Sequence, residues 1–552
     1  MVKPTRLTQE LIDDYIARGY WDTISIADTL KRNARQYPHR EAIVDSKTRF
    51  TWSELKQIAD RVATGLLEMG IKRDQAIVVQ VPSSTTTLVL LMACHQAGIV
   101  TCFPPMTFRH REMRYVLKTL RAAGVVTVWK DKRFDFFTMI KEIASDVPQL
   151  NLVWVVDDNI PQGALPFTLL REKTLGGEDC RERLQKYAFD PFEVSVIVLS
   201  SGTTGVPKLI EHTGASLKAA GWGVVERAKL TKEDVFGIIA PLSGGPGLQT
   251  WWAALQLGAK VCLLEHFTPE EALELIERER VTFLSAVPTQ LIRMLKEANV
   301  KQYELSSLKV IRTGAAALDA SLAKEAEARL NCKVVIAGGS QETHSFAQSG
   351  VDDPQDKRLQ TVGKPFPGNE IKIVNDQKEE VPVGRVGELL VRGAATSSGY
   401  YENPIATLSA WGEFGGGGWF RTGDLAKVDE EGYLILVGRK KGMILRGGQN
   451  IYPREIEDLL VSHPKVKQAA VVGIPDSIMG ERACACVTVV AGQEFAFEEM
   501  TSFLRQNGLA IHKLPERLEV LQELPSLADG QKVDRLLLTQ KIVKKLKTAG
   551  KV

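Results

Sequence analysis

The sequence predicts an α/β fold with a large N-terminal part and a smaller C-terminal part. Over the first part, short apolar strands alternate with helical stretches, which is typical of parallel sheets covered by helices. Short strands with turn residues dominate after about Gln360, and helices and strands alternate again from Arg439. We therefore predict a large domain of residues 1–438 and a small α+β domain of residues 439–552.

The first predicted helix with a clear start runs from Thr51 to Gly70. Thr51 and Glu54 have capping-box spacing, apolar residues follow at helical intervals, and the glycine ends the helix. A further helix is expected around Thr87–Gln96. The strands expected in this part are Ala76–Val81, Gly98–Phe103, Val194–Leu199, Val235–Ala240, Lys260–Leu264, Val281–Ala286, Leu308–Thr313 and Lys333–Ala337.

The remaining elements are shorter. The expected strands are Glu370–Val374, Gly387–Arg392, Tyr433–Val437, Val466–Val472 and Ala483–Val490, and the expected helices are Glu455–Leu460 and Phe497–Asn507. The lysine-rich tail Lys541–Lys551 predicts a solvated terminal helix.

Composition excludes several classes of protein. Of 552 residues, 44% are hydrophobic and 25% are charged, which is close to the average of soluble globular proteins. The net charge of +3 gives no electrostatic case for nucleic acid or an anionic membrane as a partner. No apolar run is long enough to span a bilayer, and Met1–Tyr15 lacks an apolar signal segment. We expect a cytoplasmic protein.

Seven scattered cysteines do not suit a secreted disulfide framework. Cys484 and Cys486 lie on one side of a predicted strand, and we expect both to be buried in the core. No zinc-binding spacing of Cys or His is present.

A loop rich in glycine and hydroxyl residues follows the predicted strand Val194–Leu199. Its glycines permit close backbone approach, its hydroxyls and amides donate hydrogen bonds, and Lys208 adds positive charge, all of which suit a polyphosphate. The spacing is not that of a Walker A loop. Taken alone, these residues fit an ordinary polar loop as well as they fit a phosphate-binding loop. Its residues include Ser201, Gly202, Thr203, Thr204 and Gly205.

Further segments, together with this loop, resemble the adenylate-forming superfamily, which includes acyl-CoA synthetases, carrier-protein adenylation domains and firefly luciferase. They are Gly338–Glu342, Trp419–Asp424 with Tyr433–Arg439, Arg446–Glu457, and the segment around Lys532. The resemblance covers essentially the whole chain. It implies doubly wound sheets and a β-rich subdomain in the large domain, and a small C-terminal domain that is mobile.

The resemblance implies that a carboxylate attacks the α-phosphate of ATP and expels pyrophosphate. Lys532 would bridge the carboxylate and the α-phosphate, with Glu342 and Lys208 also catalytic, and Glu342 and Thr204 would hold Mg²⁺. Both reactants are anionic, so catalysis needs cations and oriented donors. Asp424 would bind the ribose hydroxyls. The residues expected around ATP or AMP are Ser201, Gly202, Thr203, Thr204, Gly205, Gly338, Gly339, Ser340, Gln341, Asp424 and Arg439.

The second half-reaction passes the acyl group to a thiol. Lys441 occupies the hinge position of the family, where a few backbone dihedrals absorb the swing of the small domain. Gly447 and Gly448 are expected to line a channel for coenzyme A, and Lys440 and Arg446 add charge nearby.

A finer similarity points to the aryl-acid-activating branch, through Gly19–Trp21 and Lys208–Ile210. The expected acyl pocket consists of Gly244, Gly245, Gly314, Ala315 and His344. Activators of hydroxybenzoates carry an asparagine at the position of Gly245, so the glycine enlarges the pocket and speaks against a 2-hydroxybenzoate.

The chain departs from the family at other places as well. Gly244 stands where a histidine or an aromatic residue is usual, Gly214 replaces a histidine, Gly338 replaces the aromatic residue that stacks on adenine, Lys532 lies one residue further than usual from Pro525, and Gln531 replaces a glycine.

We therefore expect an AMP-forming carboxylic acid–CoA ligase that uses ATP, Mg²⁺ and coenzyme A, with an aromatic or alicyclic acid. One alternative is an aryl-acid adenylating enzyme that loads a carrier protein. Another is a nucleotide-binding protein without ligase activity. A homodimer is left open.

Overall fold

The computed structural model describes residues 4–132, 134–172, 182, 184–200, 207–297, 300–314, 318–412, 418–446, 449–476, 479–507, 509, 511–527 and 532–548. The helices in these ranges are α1 Gln9–Ala17, α2 Ile26–Gln36, α3 Trp52–Glu68, α4 Thr85–Ala97, α5 His110–Thr119, α6 Phe136–Ala144, α7 Thr168–Arg171, α8 Gly214–Ala228, α9 Gly245–Leu257, α10 Pro269–Glu279, α11 Pro288–Lys296, α12 Ala320–Leu330, α13 Gln355–Gln360, α14 Pro404–Thr407, α15 Pro453–Val461, α16 Phe497–Gln506 and α17 Arg535–Thr548.

The strands are β1 Glu41–Val44, β2 Arg49–Thr51, β3 Ala76–Gln80, β4 Val100–Cys102, β5 Gly124–Thr127, β6 Lys130–Asp131, β7 Phe134–Asp135, β8 Leu152–Val155, β9 Leu165–Pro166, β10 Val194–Leu199, β11 Leu209–Thr213, β12 Val235–Ile238, β13 Lys260–Leu263, β14 Phe283–Ala286, β15 Val310–Gly314, β16 Lys333–Ser340, β17 His344–Gln348, β18 Lys364–Pro365, β19 Asn369–Val374, β20 Gly387–Gly393, β21 Gly399–Tyr400, β22 Phe420–Val428, β23 Leu434–Arg439, β24 Ile444–Arg446, β25 Gln449–Ile451, β26 Val466–Asp476, β27 Gly480–Val489 and β28 Arg517–Val520.

Two large, mostly parallel sheets dominate the N-terminal part. One has nine strands in the order β18-β17-β16-β15-β14-β12-β13-β1-β2, and the other has eight in the order β21-β11-β10-β4-β3-β5-β8-β9. Their central strands pair in parallel, while β2, β11, β17, β18 and β21 pair antiparallel near the edges. The predicted α/β architecture is confirmed.

Helices fill the layer between the two sheets. The capping box of Thr51 and Glu54 starts α3 as predicted, and α4 is buried along nearly its whole length. A helix that is apolar all round belongs in a protein interior. Trp52, Trp251 and Trp252 are at most 1% exposed and belong to a core cluster that contains residues of both sheets. This core fixes the two sheets relative to each other.

The β-rich texture after Gln360 is also confirmed. Strands β19, β20, β22 and β23 form an antiparallel four-stranded sheet. Beyond it, β24 to β27 form a separate sheet to which β28 adds in parallel. The first of these sheets ends at Arg439 and the next begins at Ile444.

The C-terminal helix differs from the expectation of a solvated helix. Leu538, Ile542 and Leu546 recur at intervals of four residues and are at most 2% exposed, packed in one cluster with Cys484 and Cys486. Lysines occupy the other faces of α17. Because they dominate the composition of the tail, the apolar face was not recognised from the sequence. The predicted burial of both cysteines is confirmed.

None of the helices in the described ranges is both long and apolar enough to cross a bilayer.

Candidate active site

The two large sheets meet at the loops that follow strands β10 and β16. Lys208 follows the phosphate-loop candidate, and its ammonium donates a hydrogen bond to the hydroxyl of Tyr400 at 3.2 Å. That hydroxyl in turn donates to Oε1 of Glu342 at 3.0 Å. Loops at the carboxyl ends of parallel strands are the usual ligand sites of such sheets. The fold therefore brings two of the predicted catalytic residues together through one phenol.

Tyr400 was missed by the sequence analysis. It is 3% exposed and lies on β21, which pairs with β11. Burial, together with the charge and hydrogen bond of Glu342, raises its pKa, so the phenol stays a neutral donor. Its only local signal is the preceding Gly399, whose φ of +131° favours glycine.

The loop itself lies outside the described residues. This applies to Ser201, Gly202, Thr203, Thr204 and Gly205. What is described is its base, where the amide of Ser200 donates to the carbonyl of Lys208 at 3.1 Å and the amide of Lys208 donates to Oγ of Ser200 at 3.3 Å. The two ends of the loop are therefore held together.

Asp424, Arg439 and Lys532 form a second group. Strands β22 and β23 place Asp424 opposite Arg439, and Nε of the arginine lies 2.7 Å from Oδ1 of the aspartate. Burial raises the pKa of Asp424, and the charges of Arg439, Lys532 and Arg454 act in the opposite direction. The extra residue before Lys532 thus leaves its charge within electrostatic range of Asp424.

The backbone of Lys532 and Val533 pairs with that of Ser526 and Leu527. The amide of Leu527 donates to the carbonyl of Lys532 at 2.8 Å, and Ser526 pairs with Val533. Gln531, the departure next to the lysine, lies outside the described residues.

The turn after β16 carries the other predicted nucleotide residues. A Cβ at Gly339 would overlap the carbonyl of His344, so only glycine fits there. A Cβ at Gly338 would lie 2.9 Å from the ring of Phe346 and 3.1 Å from Val362. The core therefore fills the space in which an aromatic side chain at 338 would begin, which explains this departure. Ser340 donates its amide to Oγ1 of Thr343 at 3.2 Å.

The predicted acid side is built around Gln341. Oε1 of Gln341 would lie 3.6 Å from a Cβ placed on Gly245, and Gly244 caps the start of α9. A Cβ on Gly314 would lie 2.7 Å from the carbonyl of Ala337, so Gly314 permits close approach of β15 and β16. Ala315 lies outside the described residues.

Two histidines lie beside this group. His212, another residue that the sequence analysis missed, donates from Nε2 to the carbonyl of Gln341 at 2.9 Å. Its ring centroid is 4.1 Å from that of His344. Burial lowers the pKa of His212 to about 4. Burial and the charges of His212 and Arg312 lower that of His344 well below 6.5. Both rings are therefore neutral at physiological pH.

The hinge position lies in a single turn of 3₁₀-helix, Lys440–Gly442, between the last two sheets. Nζ of Lys440 lies 2.9 Å from carboxylate oxygens of both Asp376 and Glu388. Arg446 lies 2.6 Å from Glu516. In this conformation Lys440 and Arg446, the cationic side chains expected near coenzyme A, are thus ion-paired with carboxylates. Gly447 and Gly448 lie outside the described residues.

The surroundings of Glu342 fit the role of metal ligand that the resemblance implies. It is 8% exposed, and no lysine or arginine of the described ranges forms an ion pair with it. A buried carboxylate without a cation is a suitable oxygen ligand for Mg²⁺. Across those ranges no group of three or more His, Cys, Asp or Glu is arranged for a metal.

The model of the AMP-binding enzyme family matches residues 30–401, and that of the AMP-binding enzyme C-terminal domain matches residues 455–531. The chain is 33% identical to a 2-hydroxy-7-methoxy-5-methyl-1-naphthoate–CoA ligase of Streptomyces carzinostaticus, over 95% of this chain and 94% of that one. It is 31% identical to a medium-chain fatty-acid–CoA ligase of Escherichia coli, over 96% and 93%.

A solved structure shares the fold. The anthranilate CoA ligase AuaEII, determined in complex with anthranoyl-AMP, superimposes with a TM-score of 0.84 at 24% identity, over 95% of this chain and 98% of that one.

Proposed function

The chain belongs to the AMP-binding enzyme family, and we propose that it activates an aromatic or alicyclic carboxylic acid and transfers the acyl group to coenzyme A. Membership makes it an AMP-forming ligase of the adenylate-forming superfamily. The observation that carries the proposed chemistry is the convergence of Lys208 and Glu342 on the hydroxyl of Tyr400.

In the first half-reaction, a carboxylate oxygen of the acid attacks the α-phosphorus of ATP, and pyrophosphate leaves. Lys532 places its ammonium between the two anions, where opposite charge stabilises the transition state. Asp424 receives the ribose hydroxyls. Glu342 and Thr204 would hold Mg²⁺, which neutralises phosphate charge when bound.

Tyr400 holds Lys208 and Glu342 at a fixed separation before substrate arrives. Without it, an ammonium and a carboxylate at this junction would be free to pair directly, and both would be lost to ATP. We infer that ATP replaces the phenol as the partner of Lys208, since a phosphate oxygen is the stronger acceptor for an ammonium.

In the second half-reaction, a thiolate attacks the acyl carbon and AMP leaves. Lys441 is the proposed hinge between residues 1–438 and residues 439–552. The position of this boundary is supported by the change from one sheet to the next between Arg439 and Ile444.

Support for an aromatic acid comes from the naphthoate relative and from Gly244 and Gly245, where an added Cβ would meet no atom closer than 3.4 Å. Both curated relatives named above are CoA ligases, which favours coenzyme A as the acceptor. We also propose that the protein is cytoplasmic.

A carrier protein remains the second candidate acceptor. Docking of a carrier needs exposed apolar side chains on the small domain, and Ile511 is 77% exposed and Leu536 is 63% exposed there.

The direct test mixes the protein with ATP, Mg²⁺, coenzyme A and a panel of carboxylic acids, followed by assay of pyrophosphate and mass spectrometry of the products. The proposal expects pyrophosphate and an acyl-CoA with at least one aromatic or alicyclic acid. Accumulation of acyl-AMP without a thioester would instead identify a carrier protein as the acceptor. No pyrophosphate with any acid would contradict the ligase function.

A further inference from the structure

A buried arginine without a carboxylate partner lies next to His344, since it donates to the neighbouring Ser345. Arg312, on β15, is 1% exposed. Its Nε donates to Oε1 of Gln348 at 2.7 Å, and its Nη2 donates to Oε1 of Gln249 at 2.7 Å and to Oγ of Ser345 at 2.6 Å. Neutral oxygens satisfy these donors but do not neutralise the charge. Within the described ranges no aspartate or glutamate forms an ion pair with Arg312, so the interior here keeps a positive potential.

His344 carries unused hydrogen-bonding capacity in the same place. Its ring is 2% exposed, and neither Nδ1 nor Nε2 has a hydrogen-bond partner among the described residues. Buried polar groups are nearly always paired, so an unpaired imidazole marks a place where a partner is missing. Its φ of +50° is a left-handed conformation that a histidine seldom adopts, and such conformations cluster at functional sites.

This histidine is continuous with the acid side of the site. Its ring contacts that of His212 at a tilt of 40°, His212 donates to the carbonyl of Gln341, and the side chain of Gln341 faces Gly245. Oε1 of Gln341 is also buried without a partner in the described part of the chain.

We propose that the acid carries a second oxygen-bearing group, a hydroxyl or a second carboxylate, whose oxygen accepts a hydrogen bond from His344. An imidazole has at least one N–H to donate in either protonation state, and the positive potential of Arg312 favours an electron-rich oxygen over an apolar substituent. This inference rests on the proposed function, since it concerns the acid that the ligase activates. His344 is thereby a specificity residue.

The test measures kcat/KM by pyrophosphate release for benzoate, the three monohydroxybenzoates and the three benzenedicarboxylates. Comparing two acids on one preparation cancels the fraction of protein that is active. We expect at least one hydroxylated or dicarboxylic acid to exceed benzoate by about tenfold or more, because a site built to hydrogen-bond a substrate rejects the analogue that lacks the group. The hydroxybenzoates test a hydroxyl oxygen as the acceptor, and the benzenedicarboxylates test a carboxylate oxygen.

In His344→Leu, the ratio of kcat/KM for the preferred acid to kcat/KM for benzoate should fall to about threefold or less. His344→Asn should retain part of the preference, since asparagine tolerates a positive φ and can still donate. His95→Leu is the matched control. His95 is also a buried histidine with an unpartnered Nε2, but it lies on α4 against Phe189 and Trp252. This variant should keep the full preference.

Equal kcat/KM for benzoate and all substituted acids, or a preference that survives in His344→Leu, would overturn the inference and leave the ligase function intact. No pyrophosphate with any carboxylic acid would overturn the proposed function and the inference with it.

Discussion

Tyr400 shows how a single side chain organises the site. Its hydroxyl accepts from Lys208 and donates to Glu342, a residue 58 positions away in sequence. Motif spacing predicted Lys208, Glu342, Asp424 and Arg439, because these residues belong to short segments with a recognisable order. Tyr400 could not be found this way, since its role depends on a long-range contact between two sheets. His212 and Arg312 were missed for the same reason.

Lys532 gives the prediction at this scale. Lys532→Ala removes the cation expected at the α-phosphate, and loss of one such donor typically costs about 10²–10³ in rate. Acyl-AMP formation, measured by pyrophosphate release, should fall by about this factor. Thioester formation from supplied acyl-AMP should fall much less, because the family implies that the lysine has then swung away.

The matched control is Lys541→Ala, an exposed lysine on the helix that follows. It should leave both half-reactions unchanged. Equal losses of the two half-reactions in Lys532→Ala would contradict the role of the lysine.

At the scale of elements, the sequence predicted whether a segment is a helix or a strand better than it predicted how deeply that segment is buried. The capping box of α3 and the parallel strands were predicted from local chemistry and periodicity, and the structure has them within a few residues. The lysine-rich tail was identified as a helix, but its burial was not. Whether a helical face is solvated depends on what packs against it, and the partner of α17 is a strand pair some 50 residues earlier in sequence.

The short turn Lys440–Gly442 is the element expected to move. Lys441→Pro fixes φ at this residue and restricts Lys440, so it should lock the turn in one conformation. Overall turnover to the thioester should fall while one half-reaction survives. Separate assays of acyl-AMP formation and of its consumption by coenzyme A check this.

Lys441→Ala is the control for the proline, because it removes the same side chain and leaves the backbone free. It should retain overall turnover. Full turnover in Lys441→Pro would place the hinge elsewhere in the chain.

At the scale of the whole molecule, the packing of helices between two sheets buries groups that titrate near neutrality. Burial lowers the pKa of His95 to about 3. The unfolded chain, with an ordinary histidine pKa of about 6.5, therefore binds this proton first as the pH falls. The contribution of neutral His95 to the free energy of unfolding is fully present above about pH 7. It is lost as the pH falls through 6.5 towards 3.

His95→Leu should remove this dependence. Between pH 7.5 and pH 5 the wild-type protein should lose about 2 kcal/mol more stability than the variant. Urea unfolding curves at the two pH values measure the difference, and other titrating groups cancel in the comparison. Parallel loss of stability in both proteins would show that His95 is protonated in the folded state.

The central claim for the whole molecule is that the acid is activated as an acyl adenylate. The most direct measurement uses an acid from the panel with ¹⁸O in both carboxylate oxygens, together with ATP and coenzyme A. Attack of the carboxylate on the α-phosphorus, followed by thiolysis, moves one labelled oxygen to AMP and leaves the other in the thioester. We predict AMP with one ¹⁸O and unlabelled pyrophosphate by mass spectrometry. Unlabelled AMP, or label in pyrophosphate or orthophosphate, would contradict an acyl-adenylate intermediate.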